Sequence, residues 1–398
     1  MKTTFSKQER RALNFLFWPF GIGAMSTATR FPEIRDQLNI NNGTFGTYLS
    51  LGAIGGVISF ILVGHLVHSV GVKPIVFLAS TGLFVSLGVV PHIQNPIYWL
   101  VINILIAFFW VSFHIANNAQ AIHRQEEVGE LILPKLHGLW SLGALVTSVL
   151  AIVITPYVTL AWHIGVIVAA MWVLTMFGVV KSTPYFIKKN EEADAFPNLS
   201  PIGIAKTLKF QPIIVLAMVL AMQIEFSIQD WSAIYAKDTI NMSASSSIYG
   251  YAVFIGAMII LRFNAKKLAA RWSERELITK LPILGGVGFA VCILLGAWLS
   301  ETNRNLGFIV ALIGFALAGF GSSILAPTIF AISFRKTSLP SSVVVAQLGL
   351  TQTIATFLAK VVISWVAQVT SVTIALMIPA LMLLATAKFS HLGKETKD

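Results

Sequence analysis

Residues 222–235, with the sequence MQIEFSIQDWSAIY, place two carboxylates inside a stretch that is otherwise as apolar as a membrane span. At helical pitch its polar residues divide between two faces, with Glu225, Gln229 and Ser232 on one and Gln223, Ser227 and Asp230 on the other. An ionisable side chain at the centre of a bilayer costs about 2.5–3.5 kcal/mol on insertion scales, so both faces must meet protein or water. The stretch therefore predicts a membrane-spanning helix whose carboxylates have a functional role.

The composition of the whole chain agrees with a membrane protein. Of its 398 residues, 56% are hydrophobic and 11% are charged, and the mean hydropathy is +0.78, which is far from the balance of a soluble domain. The net charge of +11 would also suit a nucleic-acid partner, but the positions of the basic residues indicate membrane topology instead. Cys292 is the only cysteine, which excludes a disulfide framework and a thiolate metal cluster, and we expect it to be a small buried residue.

Twelve apolar segments are long enough to cross the hydrocarbon core as helices. They are predicted at about 12–31, 45–66, 74–91, 97–121, 136–156, 160–180, 211–233, 248–264, 278–299, 306–332, 342–366 and 372–389. Most of the 28 Lys and Arg residues fall on one side of these spans, which predicts that both termini are cytoplasmic. The basic N-terminus and the apolar run behind it resemble a secretory signal, but the many spans that follow predict an uncleaved first helix.

The spans divide six and six around the longest hydrophilic stretch. This division predicts an N-terminal six-helix bundle at 1–181, a cytoplasmic linker at 182–209 and a C-terminal six-helix bundle at 210–398. An internal repeat supports it, because four residues of the first half recur at an offset of 204: Phe31, Gly46, Gly52 and Ala53 match Tyr235, Gly250, Gly256 and Ala257. With six spans in each half, the repeat is parallel, and its axis lies along the membrane normal.

Several local stretches, together with the span count and the linker, resemble the major facilitator superfamily over essentially the whole chain. They are FPEIR at 31–35, NNAQ at 117–120, HGLWSLG at 137–143 and DWSAIY at 230–235, and they are most similar to a bacterial branch with fucose-permease-like and uncharacterised inner-membrane members. The resemblance implies an all-α fold of two six-helix bundles that rock around a central cavity in alternating access.

The gate motif of that family is only partly kept here. The loop between spans 2 and 3 reads GHLVHSVGVK at 64–73, in which Gly64 and Gly71 match the family glycines, whereas His68 stands at the position of the acid. The counterpart in the second half, RFNAKK at 262–267, keeps Arg262 and has Lys266 in place of the acid. Because those acids normally latch the cytoplasmic gate, either a protonated histidine partly replaces the latch or the protein rests in a different conformation.

Glu225 and Asp230 are the candidate proton-coupling residues. Counted from residue 211 at about 1.5 Å per residue, Glu225 lies roughly 21 Å and Asp230 roughly 28 Å from the cytoplasmic edge of a core about 30 Å thick. Glu225 is therefore predicted to be intramembrane and Asp230 to be close to the outer interface. The alternative is that each is a structural carboxylate paired with a polar neighbour.

The candidate solute-binding residues lie on four spans: Arg30 on the first, Asn117 and Gln120 on the fourth, Trp231 on the seventh, and Gln347 and Lys360 on the eleventh. Asn117 and Gln120 either line a cavity or bond neighbouring helices, and Gln347 is assigned the same hydrogen-bonding role. Trp231 is either a stacking residue or, like Trp140, an anchor in the aromatic belt at the membrane interface.

Three further groups have two interpretations each. Arg30 either pairs with Asp230 or Glu225 or holds an anionic group of the solute, because spans 1 and 7 of the superfamily face each other. Lys360 either extends its ammonium to the interface or balances Glu225. His114 and His137 suit interhelical hydrogen bonds better than proton transfer.

The sequence thus predicts a proton-coupled secondary active transporter of a small polar, sugar-like solute in the bacterial inner membrane. Motifs for nucleotide binding, hydrolysis or zinc ligation are absent, so we expect no enzyme activity, no cofactor, no metal and no nucleic-acid partner. The predicted partners are the solute, protons and lipid, and the chain is predicted to be monomeric. Two alternatives stay open: a proton-driven exporter of drugs or amphipathic metabolites, and a transport-inactive sensor or scaffold on the same fold.

Overall fold

The computed structural model describes residues 6–128, 132–188, 211–336 and 341–394, and the regular elements in these ranges are all helices. The first eight are α1 Lys7–Met25, α2 Phe31–Gln37, α3 Asn42–Leu51, α4 Ala53–Val70, α5 Val72–Val89, α6 Pro96–Val128, α7 Leu133–Ile154 and α8 Leu160–Ser182. The others are α9 Pro212–Asp238, α10 Ala244–Ser247, α11 Tyr249–Phe263, α12 Ala265–Arg271, α13 Glu274–Ser300, α14 Arg304–Ser322, α15 Leu325–Arg335, α16 Ser341–Val369, α17 Val372–Ala375 and α18 Met377–Thr386. Short 3₁₀ segments cover Ala28–Arg30, Val90–His92, Thr183–Tyr185 and Ala387–Leu392.

Every predicted span coincides with helical structure. Eleven helical segments of the described ranges are long and apolar enough to cross a bilayer, and they match the second to twelfth predictions. The first prediction corresponds to α1, whose first turn carries charged residues and whose apolar run starts at Leu13. The prediction of an all-α membrane protein with twelve transmembrane helices is therefore confirmed.

Local capping determines where several helices start. At the start of α13 the Ser273 hydroxyl accepts from the Glu276 N–H at 3.3 Å, and the Glu276 carboxylate accepts from the Ser273 N–H at 3.0 Å. This reciprocal capping box satisfies two backbone donors that the helix itself leaves unpaired. Asn303 caps α14 by accepting from the Leu306 N–H at 3.1 Å.

The chain forms two compact units, Met1–Thr27 with Leu51–Pro201 and Ala28–Ser50 with Ile202–Asp398. In the first unit α1 packs against α7 and α8, while α6 packs against α4 and α5. In the second unit α13 packs against α14, α11 packs against α14, and α9 contacts α16 and α18. Residues 189–210, which include most of the predicted linker, lie outside the described ranges.

Glycines determine how closely the helices of the first unit approach. A Cβ atom at Gly55 of α4 would lie only 1.9 Å from the Ile104 carbonyl oxygen of α6. Because no side chain fits there, the two backbones touch directly, as small residues allow in membrane helix pairs. In the second unit Gly314 allows the same close approach opposite Cys292. We expected Cys292 to be buried, but it is half-buried.

The segment Ala28–Ser50 belongs to the second unit because it packs on α9 and α16. Gly46 lets α3 approach the Ser364 side chain so closely that a Cβ there would lie 2.2 Å from the Ser364 Cβ. The Trp365 indole donates to the Thr47 hydroxyl at 3.1 Å.

An ion-pair network joins α2 to the end of α9. Lys237 pairs with Asp36, and Arg35 pairs with Asp238 and, at 2.8 Å, with Asp36. Burial alone would raise the pKa of Asp36, but the hydrogen bonds and charges of Lys237 and Arg35 outweigh it and hold the pKa below its usual value.

We expect replacement of Gly55 by Ala to force α4 away from α6 and to cost about 1–3 kcal/mol, as overpacking of a close contact does. The matched control is Gly165→Ala in α8, where an added Cβ meets nothing within 4 Å. Unfolding midpoints of the purified variants in detergent test this. A drop with Gly165→Ala as large as that with Gly55→Ala would contradict the close approach.

The α2 network predicts a pH-dependent difference in stability. Because the pKa of Asp36 is lower in the folded protein than in the unfolded chain, its pairing stabilises the fold above the ordinary carboxyl range, near pH 4. The difference in unfolding midpoint between the wild type and Asp36→Asn should be present at pH 7 and should shrink as the pH falls through that range. A difference in unfolding midpoint that stays constant down to pH 3 would show that the charge of Asp36 does not contribute to stability.

Candidate functional site

The two carboxylates of α9 each have a basic partner within the second unit. The Lys360 ammonium of α16 lies 2.7 Å from the Asp230 carboxylate, and the Asp230 side chain is 3% exposed. We expected Asp230 to be close to the interface and Lys360 to extend outward or to balance Glu225. The structure instead buries Asp230 and gives it the lysine, because α9 and α16 pack side by side.

Glu225 is paired with the arginine of the partly kept gate motif. The guanidinium Nη2 of Arg262, in α11, lies 3.6 Å from the Glu225 Oε1. The same guanidinium donates from Nε to the Ser323 carbonyl oxygen at 2.8 Å. Arg262 therefore connects the carboxylate of α9 to the junction between α14 and α15.

Pro327 explains the break between α14 and α15. In a continuous helix the Ser323 carbonyl would accept a hydrogen bond from the N–H of residue 327, four positions later, but Pro327 has no N–H. The helix breaks after Ser322, and the freed carbonyl is satisfied by Arg262. Broken helices are tolerated at membrane depth where protein groups satisfy the freed backbone in this way.

A strip of amides and hydroxyls runs along α9 and α16 toward the Asp230–Lys360 pair. Gln223 and Gln352 both donate to the Thr356 hydroxyl, at 3.4 Å and 3.2 Å. Among the described residues, no partner meets the side-chain oxygens of Gln223, Gln352 and Ser227, which are all buried. Buried polar atoms of a native protein are normally paired, so these oxygens have the capacity to accept hydrogen bonds from a small polar molecule.

Arg30 and Trp231 lie in the second unit. The Arg30 Nε donates to Glu33 at 2.7 Å, three residues along the chain. Trp231 is 2% exposed, so its interpretation as an anchor facing the lipid interface is wrong.

Two predicted residues of α6 differ in their hydrogen bonding. Gln120 is engaged at both ends of its amide, because it donates to the Tyr185 carbonyl at 2.8 Å and accepts from the Ile187 N–H at 2.9 Å. These bonds fix the chain that follows α8 and give Gln120 a structural role in this conformation. Asn117 is buried, and its Oδ1 has no partner among the described residues.

The gate residues are described in part. Gly71 joins α4 to α5 with φ of 83°, a left-handed conformation that favours glycine, which explains why a glycine stands there. The side chain of His68 and the surroundings of Gly64 lie outside the described part of the structure, as does the side chain of Gln347.

Breaking the buried ion pair should destabilise the protein strongly. Lys360→Met leaves the Asp230 carboxylate buried without a partner, which typically costs about 3–5 kcal/mol. The control is Lys280→Met. Lys280 and Glu276 both lie on α13, and the substitution removes their exposed ion pair, which is worth at most about 0.5 kcal/mol. Equilibrium unfolding of both variants tests this, and the double variant Asp230→Asn/Lys360→Met should recover most of the loss. Equal, small effects of Lys360→Met and Lys280→Met would refute the buried pair.

Comparison with known proteins places the chain in a family. The family model described as Major Facilitator Superfamily matches residues 13–362. An uncharacterised MFS-type transporter of Yersinia pestis is 23% identical over 93% of this chain and 92% of its own length. Among solved structures, the nucleoside transporter NupG superposes with a TM-score of 0.71 at 12% identity, covering 96% of this chain and 97% of its own. The fucose:proton symporter FucP of E. coli superposes with a TM-score of 0.61 at 17% identity, covering 96% and 98%. The predicted major facilitator fold is thereby confirmed, and the chain belongs to the Major Facilitator Superfamily of membrane transporters.

Proposed function

We propose that this protein is a secondary active transporter that moves a small polar, sugar-like solute across the bacterial inner membrane, driven by protons. The observation that carries the proposal is the presence of two carboxylate–base pairs inside the spans of the second unit, with buried amide oxygens on the same two helices, α9 and α16, as the Asp230–Lys360 pair. Ionisable groups are expensive in a membrane span and are kept there chiefly for transport and proton relay. One structural neighbour is a fucose:proton symporter, which supports the same class of activity for this protein.

Glu225 is the proposed proton carrier. Its contact with Arg262 is 3.6 Å long, looser than the 2.7 Å pair of Asp230 with Lys360, so proton binding at Glu225 breaks the weaker interaction. The neutral carboxylic acid no longer attracts the guanidinium, which keeps its bond to the Ser323 carbonyl. Protonation thus changes how strongly α9 is tied to α11 and to the break between α14 and α15. Asp230 takes the second, tighter position in the relay.

The solute is proposed to bind beside this relay. The oxygens of Gln223, Gln352 and Ser227 accept hydrogen bonds from hydroxyl groups, and Gln347 contributes an amide. Within the first unit, Asn117 is proposed to offer an amide to the solute. Lys360 and Arg30 set the local positive charge in the second unit.

Alternating access is proposed to occur by rocking of an N-terminal bundle, 1–181, against a C-terminal bundle, 210–398, joined by a cytoplasmic linker. Both termini would then be cytoplasmic, as the distribution of Lys and Arg indicates. Gly64, His68, Gly71 and Arg262 would form the gate region, and the protein would work as a monomer.

A proteoliposome assay tests the coupling. Solutes are first chosen by thermal stabilisation of the purified protein with a library of monosaccharides, nucleosides and polyols. Uptake of a stabilising solute should rise with an imposed inward pH gradient, and Glu225→Gln should abolish that rise while exchange of solute across the membrane continues. The control is Glu301→Gln, which alters an exposed carboxylate of the second unit.

Three outcomes would overturn parts of the proposal. Uptake of the solute that neither the pH gradient nor Glu225→Gln changes would remove proton coupling. Preferential export of drugs from cells that lack their own pumps would replace the imported sugar-like solute with an amphipathic one. Stabilisation by a solute without any exchange would favour a transport-inactive sensor.

A further inference from the structure

We propose that five rings of the first unit form a stacking subsite for a solute that is itself a ring carrying hydroxyl groups. The inference rests on the proposed transport function and adds the shape of the solute to it. The rings, called the ring cluster, are Phe20 of α1, Trp110 and His114 of α6, and His137 and Trp140 of α7.

The ring cluster is continuous. The Phe20 ring centre lies 5.1 Å from that of Trp110 and 6.2 Å from that of His114. Trp110 and Trp140 meet edge to face at 6.3 Å, and His114 meets His137 in the same way at 5.3 Å. Three helices thus direct their rings toward one place, and none of Trp110, His114, His137 and Trp140 is fully buried.

Polar atoms beside the ring cluster distinguish it from an ordinary aromatic core. The Trp140 indole Nε1 is buried without a hydrogen-bond partner among the described residues, although a buried indole N–H normally finds one. The same holds for the amide oxygens of Asn117 and Asn118, which lie on the turn of α6 that follows His114. One donor and two acceptors on the helices that carry the rings are the groups that a hydroxylated ring satisfies, because a hydroxyl both donates and accepts.

Close backbone contact holds the ring cluster in place. A Cβ at Gly21 of α1 would lie 2.2 Å from the Trp140 carbonyl oxygen, and one at Gly143 of α7 would lie 2.6 Å from the Trp18 carbonyl oxygen. The two helices therefore touch backbone to backbone at Trp140 and again three residues later, at Gly143. A side chain carried by such a contact is fixed before the solute arrives, which lowers the entropic cost of binding.

Binding to the full-length purified protein tests the subsite. The probes are D-xylose, L-fucose, uridine and myo-inositol as ring solutes, and xylitol as an open-chain control, measured by titration calorimetry. At least one ring solute should bind more tightly than xylitol, and Trp140→Ala should weaken that binding about tenfold or more, the usual loss when an aromatic stacking partner is removed. Trp140→Phe should show a smaller loss, because one aromatic ring remains, whereas the N–H and the five-membered ring of the indole are removed. Trp162→Ala, which removes an indole that is 70% exposed in α8, should bind like the wild type.

A second variant tests the subsite in case Trp140→Ala folds poorly. Asn118→Ala removes one acceptor and no ring, and it should weaken ring-solute binding at an unchanged unfolding midpoint. Tightest binding of xylitol, binding of no ring probe, or folded Trp140→Phe and Asn118→Ala variants that bind like the wild type would each overturn the inference. Ring-solute binding that depends on the ring cluster, without uptake driven by a pH gradient, would support the subsite and refute the proposed proton-coupled transport instead.

Discussion

The second unit depends on the contact between Asp230 and Lys360. A lone carboxylate on α9 or a lone ammonium on α16 would have to be neutralised or solvated in the middle of a membrane protein. Placed 2.7 Å apart, the two charges satisfy each other, but only if the two helices stay in one register. The pair thus specifies which faces of α9 and α16 meet, and the amides of Gln223 and Gln352 lie along the same line of contact, where both reach Thr356.

The two ion pairs of α9 differ in a way that suits different tasks. Asp230 has a close partner on a neighbouring helix, whereas Glu225 has a longer contact with a guanidinium that is also bound to a backbone carbonyl. In a close buried pair, removing the charge of one member leaves the other without compensation. A long contact shared with a second acceptor is easier to exchange. The geometry therefore indicates a stabilising role for Asp230 and supports the exchange role proposed for Glu225.

Sequence reasoning predicted the features that depend on local chemistry. Span positions follow from hydropathy. The partners of the charged residues could not be predicted, because Lys360 and Arg262 are distant from α9 in sequence and reach it only through helix packing. Trp231 was misplaced for a related reason: its position near a helix end suggested the lipid interface, while α3 and α16 cover that end. One overlooked signal was available, since Pro327 implies a carbonyl at Ser323 that needs a donor from elsewhere.

Pro327 and Arg262 are also linked in evolutionary terms. A substitution that gives residue 327 an N–H would repair the helix and leave the guanidinium without its backbone acceptor. Loss of the arginine alone would leave an unmet carbonyl at the break. Either change by itself is penalised, so the two positions should vary together among descendants of a common ancestor. Lineages that lose both Pro327 and Arg262 would have an unbroken tenth span, and their Glu225 would need another basic partner.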